Sequence, residues 1–134
     1  MRLSLDTSAY SHFKRGHDEV AEILDTAEWI GVTAIVLGEL RAGFGRGKRR
    51  DANERELTAF LRNPSVQVLA VDDDAARIYA EIVVALRVAG TPIPTNDIWI
   101  AAVSAREGAS VLTFDDHFRK IARVGTQVLT ARSS

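Results

Sequence analysis

The chain has 134 residues, 46% of them hydrophobic, and 17 Lys+Arg against 18 Asp+Glu leave a net charge of −1. That balance excludes a general nucleic-acid coat protein while leaving room for a local basic patch. The absence of cysteine excludes disulfide scaffolds, thiol nucleophiles and Cys-type zinc sites, and with only three His any metal must rest on oxygen.

Strand-like and helix-like stretches alternate along the chain. Leu3 and Leu5 mark a first strand that ends at Asp6. Asp6 and Thr7 then cap a helix carrying Tyr10, Phe13, Val20, Ile23 and Leu24 at helical spacing. Trp29, Ile30 and Val32 predict a second strand. Thr33 opens a helix with Ile35, Val36, Leu37 and Leu40 on its buried side, broken by Gly43-Phe44-Gly45-Arg46-Gly47 and followed by the basic run Lys48-Arg49-Arg50. An amphipathic helix with Leu57, Phe60 and Leu61 stops at Asn63-Pro64, and Val66 to Val71 reads as a third strand. Asp72-Asp73-Asp74 begins the longest helix, whose acidic first turn suits the helix dipole. Gly90 ends it, and the stiff loop Thr91-Pro92-Ile93-Pro94 leads into a helix opened by Thr95-Asn96-Asp97. Ser110 to Thr113 is a fourth strand, Asp115 to Arg123 a short helix, and Val128-Leu129 a fifth strand.

Short strands separated by helices predict parallel βαβ units with right-handed crossovers. The expected fold class is α/β: one three-layer α/β/α domain over residues 1–134, with a central parallel sheet of four to five strands. No run reaches the roughly 18 consecutive apolar residues of a membrane span, and no secretory apolar core follows Met1, so the expected location is the cytoplasm.

In open α/β sheets, ligands bind outside the carboxyl ends of the strands. Asp6 ends the first strand, Asp115 lies just beyond the fourth, and Asp97 sits in the first turn of a helix after the proline loop. Glu39 lies inside an otherwise apolar helix, where a lone carboxylate is expensive to bury. Taken singly, each Asp also reads as a helix N-cap. Glu39 alone reads equally as a solvated side chain or one paired to Arg41 or Arg77. Together the four could converge on one sheet edge, where they would repel one another unless a cation or protons neutralised them. An oxygen-only site selects Mg²⁺ or Mn²⁺.

Four segments carry a resemblance: Leu5-Asp6-Thr7-Ser8, the helix Leu37-Gly38-Glu39-Leu40-Arg41-Ala42-Gly43, Pro94 to Ala102 with Asn96-Asp97 near its start, and Leu112 to Phe118 with Asp115-Asp116-His117. In this order and spacing the chain resembles PIN-domain endoribonucleases, and more narrowly the toxins of VapBC-type toxin–antitoxin pairs. The resemblance implies a four-acid, Mg²⁺- or Mn²⁺-dependent ribonuclease site of Asp6, Glu39, Asp97 and Asp115, with adjacent Asp116 as an alternative fourth acid. Thr7, Ser8, Asn96 and Thr113 would orient ligands or waters. Arg46, Lys48, Arg49, Arg50 and Arg119 would hold RNA phosphates, as basic side chains do without reading sequence. His12, His17 and His117 read as surface or structural residues.

The resemblance further implies a homodimer, and a cognate antitoxin that lays a segment into the active-site groove. Val20, Ile23 and Leu24, or Val36 and Leu40, would suit such a groove and suit a core equally well. Two other functions remain open: a PIN nuclease of RNA processing without an antitoxin, and a non-catalytic scaffold that binds RNA or protein. A phosphoacceptor domain is disfavoured, because Asp6 is followed by Thr7-Ser8 rather than by a second acid.

Overall fold

The computed structural model describes residues 1–131. Five strands form one sheet: β1 (Arg2–Leu5), β2 (Trp29–Thr33), β3 (Val66–Leu69), β4 (Ser110–Thr113) and β5 (Thr126–Val128). All neighbours pair in parallel, in the order β3-β2-β1-β4-β5. Among the described residues six α-helices flank the sheet: α1 (Thr7–Lys14), α2 (Asp18–Thr26), α3 (Ala34–Gly45), α4 (Arg50–Leu61), α5 (Asp73–Ala89) and α6 (Thr95–Arg106). A short 3-10 helix, Asp116–Lys120, follows β4.

The central strands are apolar because helices cover both their faces. Leu3, Leu5, Val32, Val111 and Leu112 are all buried, each worth about 1.5–3 kcal/mol on leaving water. On α5 the buried face is Ala75, Ile78, Ile82 and Leu86, a helical repeat. Asp72 caps this helix by accepting from the Ala75 amide, and Gly90 ends it in the left-handed conformation at φ +69°.

Four boundaries differ from the sequence reading. The first helix is two helices, because Gly16 takes φ +88° and His17 caps α2 through Nδ1, which accepts from the Val20 amide. β3 stops at Leu69, and the segment after Asp115 is one tight 3-10 stretch rather than an α-helix to Arg123. The fifth strand begins earlier, at Thr126. Val20, Leu24, Val36 and Leu40, the residues that could have lined an exposed groove, are buried in the core.

One topological feature places the site. From β1 the chain crosses to β2 on one side, whereas α5 and α6 return it to β4 on the other. Strand order therefore reverses between β1 and β4, and a crevice opens outside their carboxyl ends.

Candidate active site

The crevice is a cleft of about 580 Å³ walled by Asp6, Thr7, Ser8, Glu39, Pro94, Thr95, Asn96, Asp97 and Asp115. All four acids expected of the site therefore meet there, delivered by the end of β1, the middle of α3, the first turn of α6 and the exit of β4.

Asp6 is the deepest, with 2% of its surface exposed. Its Oδ1 accepts from the Ala9 amide at 2.8 Å, which makes it the N-cap of α1. The Ser8 hydroxyl donates to both carboxylate oxygens, and the Thr113 hydroxyl, from the end of neighbouring β4, donates to Oδ2 at 2.5 Å. Burial pushes the Asp6 carboxyl up to about 6 against the pull of these donors, and the negative charge of Asp115 adds to the rise.

Glu39 is half-buried and held from two sides. The Thr7 hydroxyl donates to Oε1 at 2.5 Å and the Asn96 side-chain amide to Oε2 at 3.2 Å. Neither cation considered for Glu39 reaches it: Arg41 pairs with Glu54, and Arg77 pairs with Asp73.

Asp97 belongs to a helix whose N-cap is Pro94, so its side chain has no capping duty. Its amide donates to the Pro94 carbonyl at 3.1 Å, fixing the first turn. His117 Nε2 lies 2.5 Å from Asp97 Oδ2. Burial raises the Asp97 pKa, His117 opposes that rise, and the charges of Asp115 and Glu39 add to it. Asp115 has its amide tied to Thr113 Oγ1 at 2.9 Å and its side chain at the cleft wall. Asp116 points elsewhere: it is exposed and pairs with Arg119 at 2.5 Å.

The capping reading therefore holds for Asp6, which both caps and lines the cleft. It fails for Asp97, and Asp115 makes no side-chain cap either. Among the described residues no three His, Asp or Glu side chains form a ready-made metal cage; the carboxylates rest instead on hydroxyl, amide and imidazole groups. The donor set nevertheless suits a hard divalent cation: carboxylate oxygens from separate elements, mutually repelling, with two acids displaced upward in pKa.

The basic residues stand further off. Arg46, Lys48, Arg49 and Arg50 are exposed and none walls the acid cleft, because α3 carries the chain onward by about 1.5 Å per residue beyond Glu39. Arg49 instead lines a neighbouring hollow of about 340 Å³ with Tyr10, Lys14, Arg15 and Glu56, and it pairs with Glu56. Arg119 is occupied by Asp116. The residue that sequence reasoning misplaced is His117, whose contact with Asp97 spans 20 positions and leaves no local signal.

The family model described as PIN domain matches residues 3–124. The chain belongs to the PIN-domain family. This PIN domain is 34% identical over 117 residues to ribonuclease VapC5 of Mycobacterium tuberculosis, covering 85% of this chain and 83% of the relative. Among solved structures it resembles that of VapBC-5, a member of the VapBC family of toxin–antitoxin systems from the same organism, with TM-score 0.71, 30% identity, and coverage of 96% of this chain and 98% of that one. The fold also matches a chain of Rickettsia felis VapBC2 bound to a DNA fragment from its promoter, with TM-score 0.84 at 24% identity, over 96% and 99% of the two chains.

Proposed function

We propose that this PIN domain is a metal-dependent endoribonuclease, the toxic member of a toxin–antitoxin pair, that hydrolyses RNA phosphodiester bonds and is held inactive by a cognate antitoxin. The observation that carries the reading is the convergence of Asp6, Glu39, Asp97 and Asp115 on one cleft at the strand-order reversal. The likeness to a VapC ribonuclease and to VapBC complexes supports the choice of RNA as substrate and of an antitoxin as partner.

Asp6, Asp97 and Asp115 would hold Mg²⁺ or Mn²⁺, with Glu39 completing the site. The ion, when bound, offsets the clustered negative charge, polarises the phosphodiester and makes water a stronger nucleophile near neutral pH. Thr113 and Ser8 keep the Asp6 carboxylate oriented toward that task. Thr7 and Asn96 fix Glu39 where it can orient the attacking water and accept its proton. Arg46, Lys48, Arg49, Arg50 and Arg119 would grip phosphates beyond the cleft. Val84 and Val88, exposed on the outer face of α5, suit the homodimer expected of this family. We assign residues 1–134 to a single domain acting in the cytoplasm; no described helix is long and apolar enough to cross a membrane.

The test is cleavage of total RNA by protein stripped of any co-purifying partner, with EDTA, Mg²⁺ or Mn²⁺. Metal-dependent cleavage that disappears in Asp97→Asn is the expected result. Equal cleavage by the variant, or none by the stripped protein with metal, refutes the four-acid mechanism.

A further inference from the structure

The four acids are not held alike. Asp6 has an amide and two hydroxyls, and Glu39 a hydroxyl and an amide. Among the described residues, the Asp97 carboxylate has one hydrogen-bonding side chain, His117, and it comes from a different part of the fold. A carboxylate's terminal torsion is broad and weakly set by the backbone, so an Asp with no cap bond needs an external donor to fix its plane. We infer that His117 is a positioning residue: its Nε2–H holds Oδ2 of Asp97 and so sets the plane of that carboxylate in the cleft.

The imidazole is itself constrained. His117 is on the 3-10 helix after β4 and its ring lies 5.4 Å from that of Phe118 at an interplanar angle of 30°. Phe118 is fully buried and anchors the turn. The same short segment supplies Asp115 to the cleft wall, so one turn presents one acid and aligns another. With Asp97 ionised, only the imidazole can donate, so the contact requires the proton on Nε2. This inference rests on the assignment of Asp97 to the cation site. Partners of this kind, removed from other metal sites, cost about 10–100-fold in metal affinity or activity.

The experiment is calorimetric titration of partner-stripped protein with Mn²⁺, run for wild type, His117→Ala, His117→Gln and His117→Asn, alongside RNA cleavage at saturating Mn²⁺. Gln carries its amide at about the depth of Nε2, whereas Asn reaches only the depth of Nδ1. The expected result is Mn²⁺ affinity weakened about 10–100-fold in His117→Ala and His117→Asn and substantially recovered in His117→Gln, with wild-type unfolding transitions. Unchanged or tighter Mn²⁺ binding in His117→Ala overturns the inference, since the histidine would then be idle or competing with the ion. Should the Ala variant not fold, the Gln–Asn contrast decides: equal Mn²⁺ affinity in the two overturns the inference. Asp97→Asn separates this from the underlying reading. If it still cleaves RNA, the nuclease site itself is wrong; if it is inactive while His117→Ala binds Mn²⁺ normally, only the positioning role is lost.

Discussion

The two ends of the acid cleft are built on different terms. At the β1 end, Asp6 is buried, caps α1 and accepts from Ser8 and Thr113, so it belongs to the fold as much as to the site. At the α6 end, Asp97 has no cap role, follows a proline loop and leans on His117. One carboxylate is thus tied into folding and the other is nearly free of it. Substitution at Asp97 should cost function alone, whereas substitution at Asp6 should disturb stability and function together.

The largest effect expected is from Asp97→Asn. It keeps shape and an acceptor for His117 while removing a charge from the cleft, and should lower metal-dependent cleavage about 1000-fold, or about 4 kcal/mol of barrier. Its unfolding midpoint should stay close to wild type. A large loss of stability in this variant would break the contrast between the two ends.

Asp6 should reveal itself through pH. Its carboxyl is raised from 3.8 to about 6 by burial. Below about pH 4 both folded and unfolded chains hold the proton, and the group has no effect. Between about pH 4 and 6 the unfolded chain loses its proton first, so stability falls as pH rises; above about 6 the loss is complete. Two pKa units correspond to about 3 kcal/mol. Urea unfolding in EDTA at pH 4 and pH 7, wild type against Asp6→Asn, isolates this contribution. The variant should gain relative to wild type by up to about 3 kcal/mol on going from pH 4 to pH 7. A constant difference across that range would mean the folded carboxylate is not disfavoured.

Thr113→Val sharpens the same end from its other partner. The buried hydroxyl donates to Asp6 and accepts from the Asp115 amide, so an isosteric methyl leaves both groups short of a partner. A loss of about 2 kcal/mol is expected in urea unfolding at pH 7. The loss should shrink near pH 4, where a protonated Asp6 no longer needs the donor as much.

The strand–helix alternation that puts Asp6, Asp97 and Asp115 near one edge is legible in the sequence, because Leu3-Ser4-Leu5, Val111-Leu112 and the α5 repeat state their periods plainly. Those three carboxylates, and Glu39 inside its otherwise apolar helix, stand out as site candidates in the amino-acid sequence itself. Less legible was the break at Gly16: an isolated glycine inside a periodic stretch is tolerated in a helix, and histidine is an uncommon cap. The grip on each acid was partly hidden too. Thr7, Ser8, Asn96 and Thr113 are sequence neighbours of acids and could be guessed as orienting groups. His117 serves an acid on another element, and only the approach of the β4 exit to α6 brings them together.

The choice between Asp115 and Asp116 is the smallest effect in prospect and the cleanest contrast, because the two are adjacent in sequence and opposite in setting. Asp115 walls the cleft, and its charge raises both Asp6 and Asp97. Asp116 is 80% exposed in its side chain and meets Arg119 three residues on. A solvated pair of that kind is worth about 0–1 kcal/mol. Asp116→Ala should therefore leave metal-dependent cleavage within about twofold of wild type and shift the urea midpoint by no more than that small amount, consistent with surface substitutions in general. Asp115→Ala, by contrast, removes an acid from the cleft and should lower cleavage while easing the repulsion on Asp6. A severe loss of cleavage in Asp116→Ala with little in Asp115→Ala would transfer the fourth acid to its neighbour and require the turn after β4 to rotate when RNA binds.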